Sequence, residues 1–291
     1  AEDGTPVYVR DEKKGKYVIT DHRRGTEPIY DENLMTIFPR MWNGSKRMYT
    51  STYEQYIDRS AMTPVSVKKS DGSSEVVMRP TFGQNLKYFI GYQCNHMYWR
   101  YFMWNFVGRQ NDIQGHGELE NGNWISGISF IDNARLGNQD NLPRSMENSG
   151  RTEFYFLPLL LGLVGLFYHI RNDIKNSWVV FLLFFMTGLA IVIYLNQTPF
   201  QPRERDYAYA GSFYAFCIWI GFGVLGIMSL LQKIFKNKMI AAVVAFILCL
   251  SVPTVMAASG WEGHNRANKT AALDWGKNYL KNLPENAVIF T

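Results

Sequence analysis

The chain has 291 residues, a formal net charge of +5, 47% hydrophobic residues and 19% charged ones. That length holds one large domain or two ordinary ones, and a modest charge with no dense Lys/Arg block excludes a nucleic-acid footprint. The three cysteines, Cys94, Cys217 and Cys249, show neither metal-ligand spacing nor a disulfide framework.

The averages conceal a segregation. Residues 1–152 read as soluble or surface-bound chain, 153–258 as membrane, and the remainder as polar again. The start at Ala1 lacks a signal-peptide pattern, and the end falls in Ala287–Phe290, an apolar run expected to open a strand. An internal piece of a longer protein is the expectation.

In residues 1–83 two stretches read as β-hairpins of an outer subdomain. "VYVRDEKKGKYVIT" (7–20) has β-rich runs around a Lys/Gly turn. "VSVKKSDGSSEVVM" (65–78) repeats the signature around Asp71-Gly72. Neither carries visible chemistry.

Residues 84–152 form the second segment. "QNLKYFIGYQCNHMYWRYFMWNFVGR" (84–109) is crowded with aromatics and interrupted by Lys87, His96, Arg100 and Arg109. It is too polar for a span, and an amphipathic helix at the membrane interface is expected. Alternatively it walls a site for a lipid head group, with Trp99 and Trp104 on the groove and Arg100 and Arg109 meeting a phosphate. The loop that follows, 105–139, is dense in Gly, Asn, Gln and Asp and reads as an ordered, hydrogen-bonded loop. It carries Asp112, His116, Glu118 and Asp132. His116 and Glu118 lack a convincing third ligand, so no metal is expected.

Four uncharged runs follow, near 154–170, 177–196, 211–232 and 239–258, and a bilayer needs about 20 apolar residues per helix. Buried helices of a soluble protein are the alternative, disfavoured by four such runs joined by short basic loops. The loop with Arg171 and Lys175 and the loop with Lys233, Lys236 and Lys238 share one side, which the positive-inside rule makes cytoplasmic. Everything else then faces outward, to the periplasm of a Gram-negative cell. The G-x-G-x-x-G of "GFGVLG" (221–226) lies inside an apolar run, so it reads as close helix packing rather than a dinucleotide site.

Between two of these runs stands "NQTPFQPRERDYAYAGSFYAF" (196–216). Arg203 and Arg205 have the fork geometry for a phosphate. Glu204 and Asp206 either hold those arginines or act as acid/base groups, with Asp112 a further candidate. Tyr207, Tyr209 and Tyr214 suit a lipid or sugar groove. A salt-bridged loop with an interfacial tyrosine belt is the structural alternative. In the tail (259–291), residues 267–283 place Ala272, Trp275, Tyr279 and Leu283 on one helical face, as at the start of a soluble α/β domain.

From about Thr81 onward, "YWRYFMWNFVGRQNDIQGHGE", "GNWISGISFIDN", "NQTPFQPRERDYAYAGSFYAF" and "NRANKTAALDWGKNYLKNLPENAVIFT" together resemble a multi-spanning membrane family of unknown function abundant in Bacteroidetes. That family is related to the transmembrane protein O-mannosyltransferases of the GT-C class. The resemblance implies an α-helical integral membrane protein with an outward mixed α/β loop region. It implies transfer of a sugar such as mannose from a polyprenyl-phosphate donor to a protein acceptor. Lipid, lipid-linked sugar and acceptor protein are the implied partners, and no cofactor is implied. The acidic D-x-G-E-like motif of such enzymes is missing, so this chain is expected to supply the donor side and to be inactive alone. A transporter or flippase for a lipid-linked solute and a non-catalytic scaffold subunit are the alternatives.

Overall fold

A computed structural model describes residues 2–3, 6–22, 26–27, 31–35, 51–68, 72–139, 142–143, 149–199, 206–281, 283–284 and 287–288. The chain divides into two compact units, residues 1–93 with 195–201, and residues 94–194 with 202–291.

The first unit is built on hairpins and a tyrosine cluster. Strand β1 (Glu2–Asp3) pairs antiparallel with β4 (Thr26–Glu27), and β2 (Val7–Asp11) with β3 (Lys16–Asp21). The β2–β3 turn closes at Gly15, whose φ of 63° suits a residue without a Cβ, and Asp11 accepts the Lys13 N–H at 3.0 Å. Strands β5 (Thr63–Lys68) and β6 (Ser74–Arg79) pair in register from Thr63↔Arg79 to Lys68↔Ser74. Both hairpins stand where the sequence puts them; Asp71 lies outside the described residues. Helix α1 (Phe82–Tyr88) starts at a capping box between Thr81 and Gln84. Tyr88 stacks on Tyr92 at 5.3 Å and meets Tyr53 and Tyr56 edge-on. The Tyr88 hydroxyl and the Gln93 amide both donate to the Gln197 carbonyl, at 3.1 and 2.8 Å.

A π-helical segment, Phe89–Trp99, carries the chain into the second unit and α2 (Arg100–Phe106). Most of the aromatics in this run point inward rather than outward as an interfacial anchor would have them. Tyr98, Tyr101, Phe102, Trp104 and Phe106 are buried, and Phe102 and Phe106 join Phe216 and Trp219 in a core cluster. Aromatic density here fills an interior.

Strand β7 (Gly108–Arg109) pairs antiparallel with β8 (Thr152–Glu153). Gly108 sits at φ 143° with the Ile125 carbonyl 2.7 Å from where a Cβ would stand, so only glycine fits. Between these strands lies α3 (Ser129–Leu136), whose Asp132 carboxylate accepts the Ser126 and Gly127 N–H groups at 2.9 and 2.8 Å.

The rest is helical: α4 (Leu157–Asn172), α5 (Ile174–Met186), α6 (Leu189–Leu195), α7 (Ala210–Ile234), α8 (Lys238–His264) and α9 (Ala271–Lys281). Three stretches are long and apolar enough to cross a membrane: Ile174–Leu195, Tyr207–Ile234 and Lys238–His264. The first run of the expected four forms only the 16-residue α4, about 24 Å long at 1.5 Å per residue. Large apolar side chains such as Trp178, Leu182, Phe246 and Ile247 face outward. Water would make that surface an aggregation liability; lipid makes it the expected one.

Helices α4 and α7 pack face to face through glycines. A Cβ on Gly165 would collide with the Trp219 carbonyl oxygen and stand 2.5 Å from the Gly223 nitrogen. One on Gly223 would meet the Leu161 carbonyl, and one on Gly226 the Val164 Cγ1 at 2.9 Å. Gly221, the first glycine of "GFGVLG", has open space around it. The motif is therefore a packing surface. The span Ile174–Leu195 is interrupted at Thr187–Gly188, where Gly188 lies against the buried, mutually hydrogen-bonded hydroxyls of Tyr98 and Ser212, 2.5 Å apart.

Candidate functional site

Within the second unit, a cleft of about 740 Å³ opens between α2, β7–β8 and the C-terminal end of α8. One wall is aromatic, with Tyr101, Trp104 and Phe154; the opposite wall, Met256 to His264, carries Trp261. Arg109, Arg266 and Lys269 bring positive charge, His264 adds an imidazole, and Asp112 is the sole carboxylate of the described lining.

Local structure places each group. Helix α2 delivers Trp104, and Arg109 follows in β7 with its guanidinium 4.3 Å from the centre of the Trp104 ring, a cation–π contact that holds the fork in place. The Arg109 backbone N–H donates to Thr152 Oγ1 at 3.2 Å. The Trp104 indole is buried, and its Nε1–H has no acceptor among the described residues. A buried donor of that kind costs free energy until something accepts from it. On the opposite wall His264 Nδ1 lies 2.8 Å from the Gly260 carbonyl. A carbonyl only accepts, so Nδ1 carries the proton and Nε2 is left for the cleft. The two walls are tied together, because the Glu153 N–H donates to Ser259 Oγ at 3.0 Å.

The loop behind the cleft is built on Arg100. This residue is buried; Nε donates to the His96 carbonyl at 2.9 Å, and Nη1 to the Gly122 and Gly115 carbonyls at 3.1 and 3.4 Å. Its plane also lies over Tyr101 and Trp104. Arg100 is thus a strut of the loop, which corrects its assignment to a phosphate. Gln110, Asn111 and Asn123 complete the scaffold; Asn123 Nδ2 donates to Gln110 Oε1 at 3.0 Å and the Gly122 N–H to Asn111 Oδ1 at 3.0 Å. Beside it, burial, then the Arg100 and His116 charges, pull the His96 imidazole down to about 3, against a hydrogen bond with the Gly115 backbone. Glu118 accepts the His116 backbone N–H at 2.6 Å. No group of three or more metal-ligating side chains converges among the described residues.

The other sequence candidates scatter. Arg203, Glu204 and Arg205 lie outside the described residues, and Asp206 is described only as backbone at the start of the 3-10 turn Asp206–Tyr209. Tyr207 and Tyr214 are exposed. Tyr209 is buried edge-on against Tyr98 at 5.3 Å, so it supports the interior rather than a groove. Trp99 packs edge-on against Phe102 at 5.2 Å. Of the candidates named from sequence, Arg109, Trp104 and Asp112 meet in the cleft. His264, Arg266, Lys269 and Trp261 were not singled out, although "GWEGHNRANK" follows a span as "QPRERDY" precedes one.

Residues 1–90 match a family of unknown function (DUF8416); every residue lining the cleft lies outside that segment. No curated protein and no solved structure matches the chain.

Proposed function

We propose that this chain forms the donor side of a membrane glycosyltransferase, moving a sugar such as mannose from a polyprenyl-phosphate carrier to a protein acceptor. The observation that carries the reading is the composition of the cleft: cations, aromatic surface and one carboxylate together, at the helix ends opposite the basic loops containing Arg171, Lys175, Lys233, Lys236 and Lys238. The positive-inside rule makes those loops cytoplasmic and the cleft periplasmic, in a cytoplasmic membrane crossed four times with α4 counted. In the transfer, the bond from the sugar's anomeric carbon to the phosphate oxygen breaks, and the phosphate leaves with the electron pair. The acceptor hydroxyl oxygen forms the new bond and gives its proton to the Asp112 carboxylate, which in this reading takes the place of the missing D-x-G-E-like motif, so that transfer does not wait on another chain as the sequence led us to expect. Arg109 and its neighbouring cations stabilise the departing phosphate. Arg203 and Arg205 remain proposed ligands of the same donor.

A flippase for a lipid-linked solute is the second reading, favoured by the interruption at Thr187–Gly188, since broken spans often build transport sites. Proteoliposomes supplied with labelled polyprenyl-phosphate sugars and periplasmic protein separate the two. The transferase reading expects protein-bound label from the wild type, lost in Asp112→Asn. Label that crosses the bilayer without becoming protein-bound overturns it in favour of the flippase.

A further inference from the structure

The cleft divides into two chemically different halves. Arg266 and Lys269 lie just past the end of α8, exposed and facing the same space as Arg109. Arg109 is fixed over Trp104, whose buried indole N–H lacks an acceptor among the described residues. Three cations around one volume suit the oxygens of a phosphate, which takes charge-assisted hydrogen bonds from several directions. On the same α8 turn that carries His264, Trp261 offers a largely free indole, 70% exposed, and it lines the cleft. The remainder of that wall is small or aliphatic, with Met256, Ala257, Gly260 and Gly263. A flat, unobstructed indole next to an anion site accepts the apolar face of a ring that also bears hydrogen-bonding groups.

We infer that the cleft is a two-part site for a sugar phosphate, in which Arg109, Arg266 and Lys269 hold the phosphate and Trp261 is the platform that selects for the sugar ring. This deepens the proposed transferase reading and rests on it for the ring's identity as a sugar. The phosphate can be free or carried on a lipid; the chemistry at the cations is the same.

The test uses the protein in phosphatidylcholine nanodiscs, titrated calorimetrically with inorganic phosphate, hexose 1-phosphate, polyprenyl phosphate and polyprenyl-phosphate hexose. The variants are Arg266→Ala/Lys269→Ala, Trp261→Ala and Trp261→Phe, all at exposed positions. Loss of both cations is expected to weaken every phosphate probe by roughly 10- to 100-fold. Trp261→Ala is expected to weaken only the sugar-bearing probes, by about tenfold, with most of that recovered in Trp261→Phe. Binding of polyprenyl forms alone assigns a lipid source, and binding of the soluble forms alone a free one; either supports the site. The inference is overturned if no probe binds the wild type, if the double variant binds like the wild type, or if Trp261→Ala affects bare and sugar-bearing phosphates alike. Sugar-selective binding without transfer leaves this site standing and removes the transferase reading. Transfer that all three variants retain does the reverse.

Discussion

Replacing Gly165 by alanine tests the helix packing on which the cleft stands. The added methyl has nowhere to go: the Trp219 carbonyl oxygen occupies its position and the Gly223 nitrogen is 2.5 Å away. Both obstacles are backbone, so no side chain can swing aside and the two helices must part by about 1 Å. A gap of that size forfeits roughly a quarter to a half of the dispersion attraction between facing atoms. Along the whole α4–α7 face, overpacking of this kind costs about 1–3 kcal/mol. Gly221→Ala is the matched control. It lies on α7, the partner helix of the same pair, with nothing within 4 Å of its would-be methyl, and alanine favours helix over glycine by up to about 1 kcal/mol. Unfolding in mixed detergent micelles, followed by circular dichroism, should show Gly165→Ala less stable than wild type and Gly221→Ala equal or better. Equal behaviour of the two variants would refute close backbone approach between these helices.

Arg100→Met should leave the His96, Gly115 and Gly122 carbonyls without their donor, costing about 3 kcal/mol and exposing residues 110–123 to limited proteolysis; an equally resistant loop would count against the strut. Because the folded protein holds His96 near 3 while an unfolded imidazole titrates near 6.5, the unfolded state binds the extra proton between those values. Stability should therefore be complete above about pH 6.5 and fall as pH drops toward 3. His96→Gln should flatten that slope in a thermal-shift series, and an unchanged slope would rule out His96 as its source. Tyr98→Phe removes one partner of the buried hydroxyl pair with Ser212 and should cost about 1–2 kcal/mol. The double variant with Ser212→Ala should cost less than the sum of the singles, whereas strict additivity would mean that the hydroxyls do not interact. A reporter inserted after Asn237 should read as cytoplasmic, and a periplasmic signal would invert the proposed orientation.

The sequence makes the hairpins legible because β-rich runs and turn residues are local signals, and the helical runs legible because apolar length is a local property. The glycines of "GFGVLG" were readable as a packing surface, but not that Gly221 stands apart from it; only the position of α4 decides that. The aromatic run from Tyr88 to Phe106 misleads for a related reason. Tyrosine and tryptophan suit both a membrane interface and an interior. The choice here is made by partners over a hundred residues away, such as Tyr209 and Ser212 against Tyr98. Arg100 reads as a free phosphate ligand in one dimension and becomes a strut once the loop carbonyls close around it. The cations after α8 were within reach, since the reasoning that singled out Arg203 and Arg205 beside a span applies equally to Arg266 and Lys269.

The bond from the Glu153 N–H to Ser259 Oγ joins a two-residue strand to a helix that runs for 27 residues. That helix has an apolar length to match to its surroundings, and a helix longer than the hydrocarbon layer tilts until it fits. The strand pair carrying Arg109 is fastened to it and is drawn along. If the cleft binds as proposed, its geometry is expected to respond to bilayer thickness, with Ser259 as the point where a property of the lipid would enter it. Affinities measured across phosphatidylcholines of graded acyl length should trace a single optimum, and Ser259→Ala should broaden it.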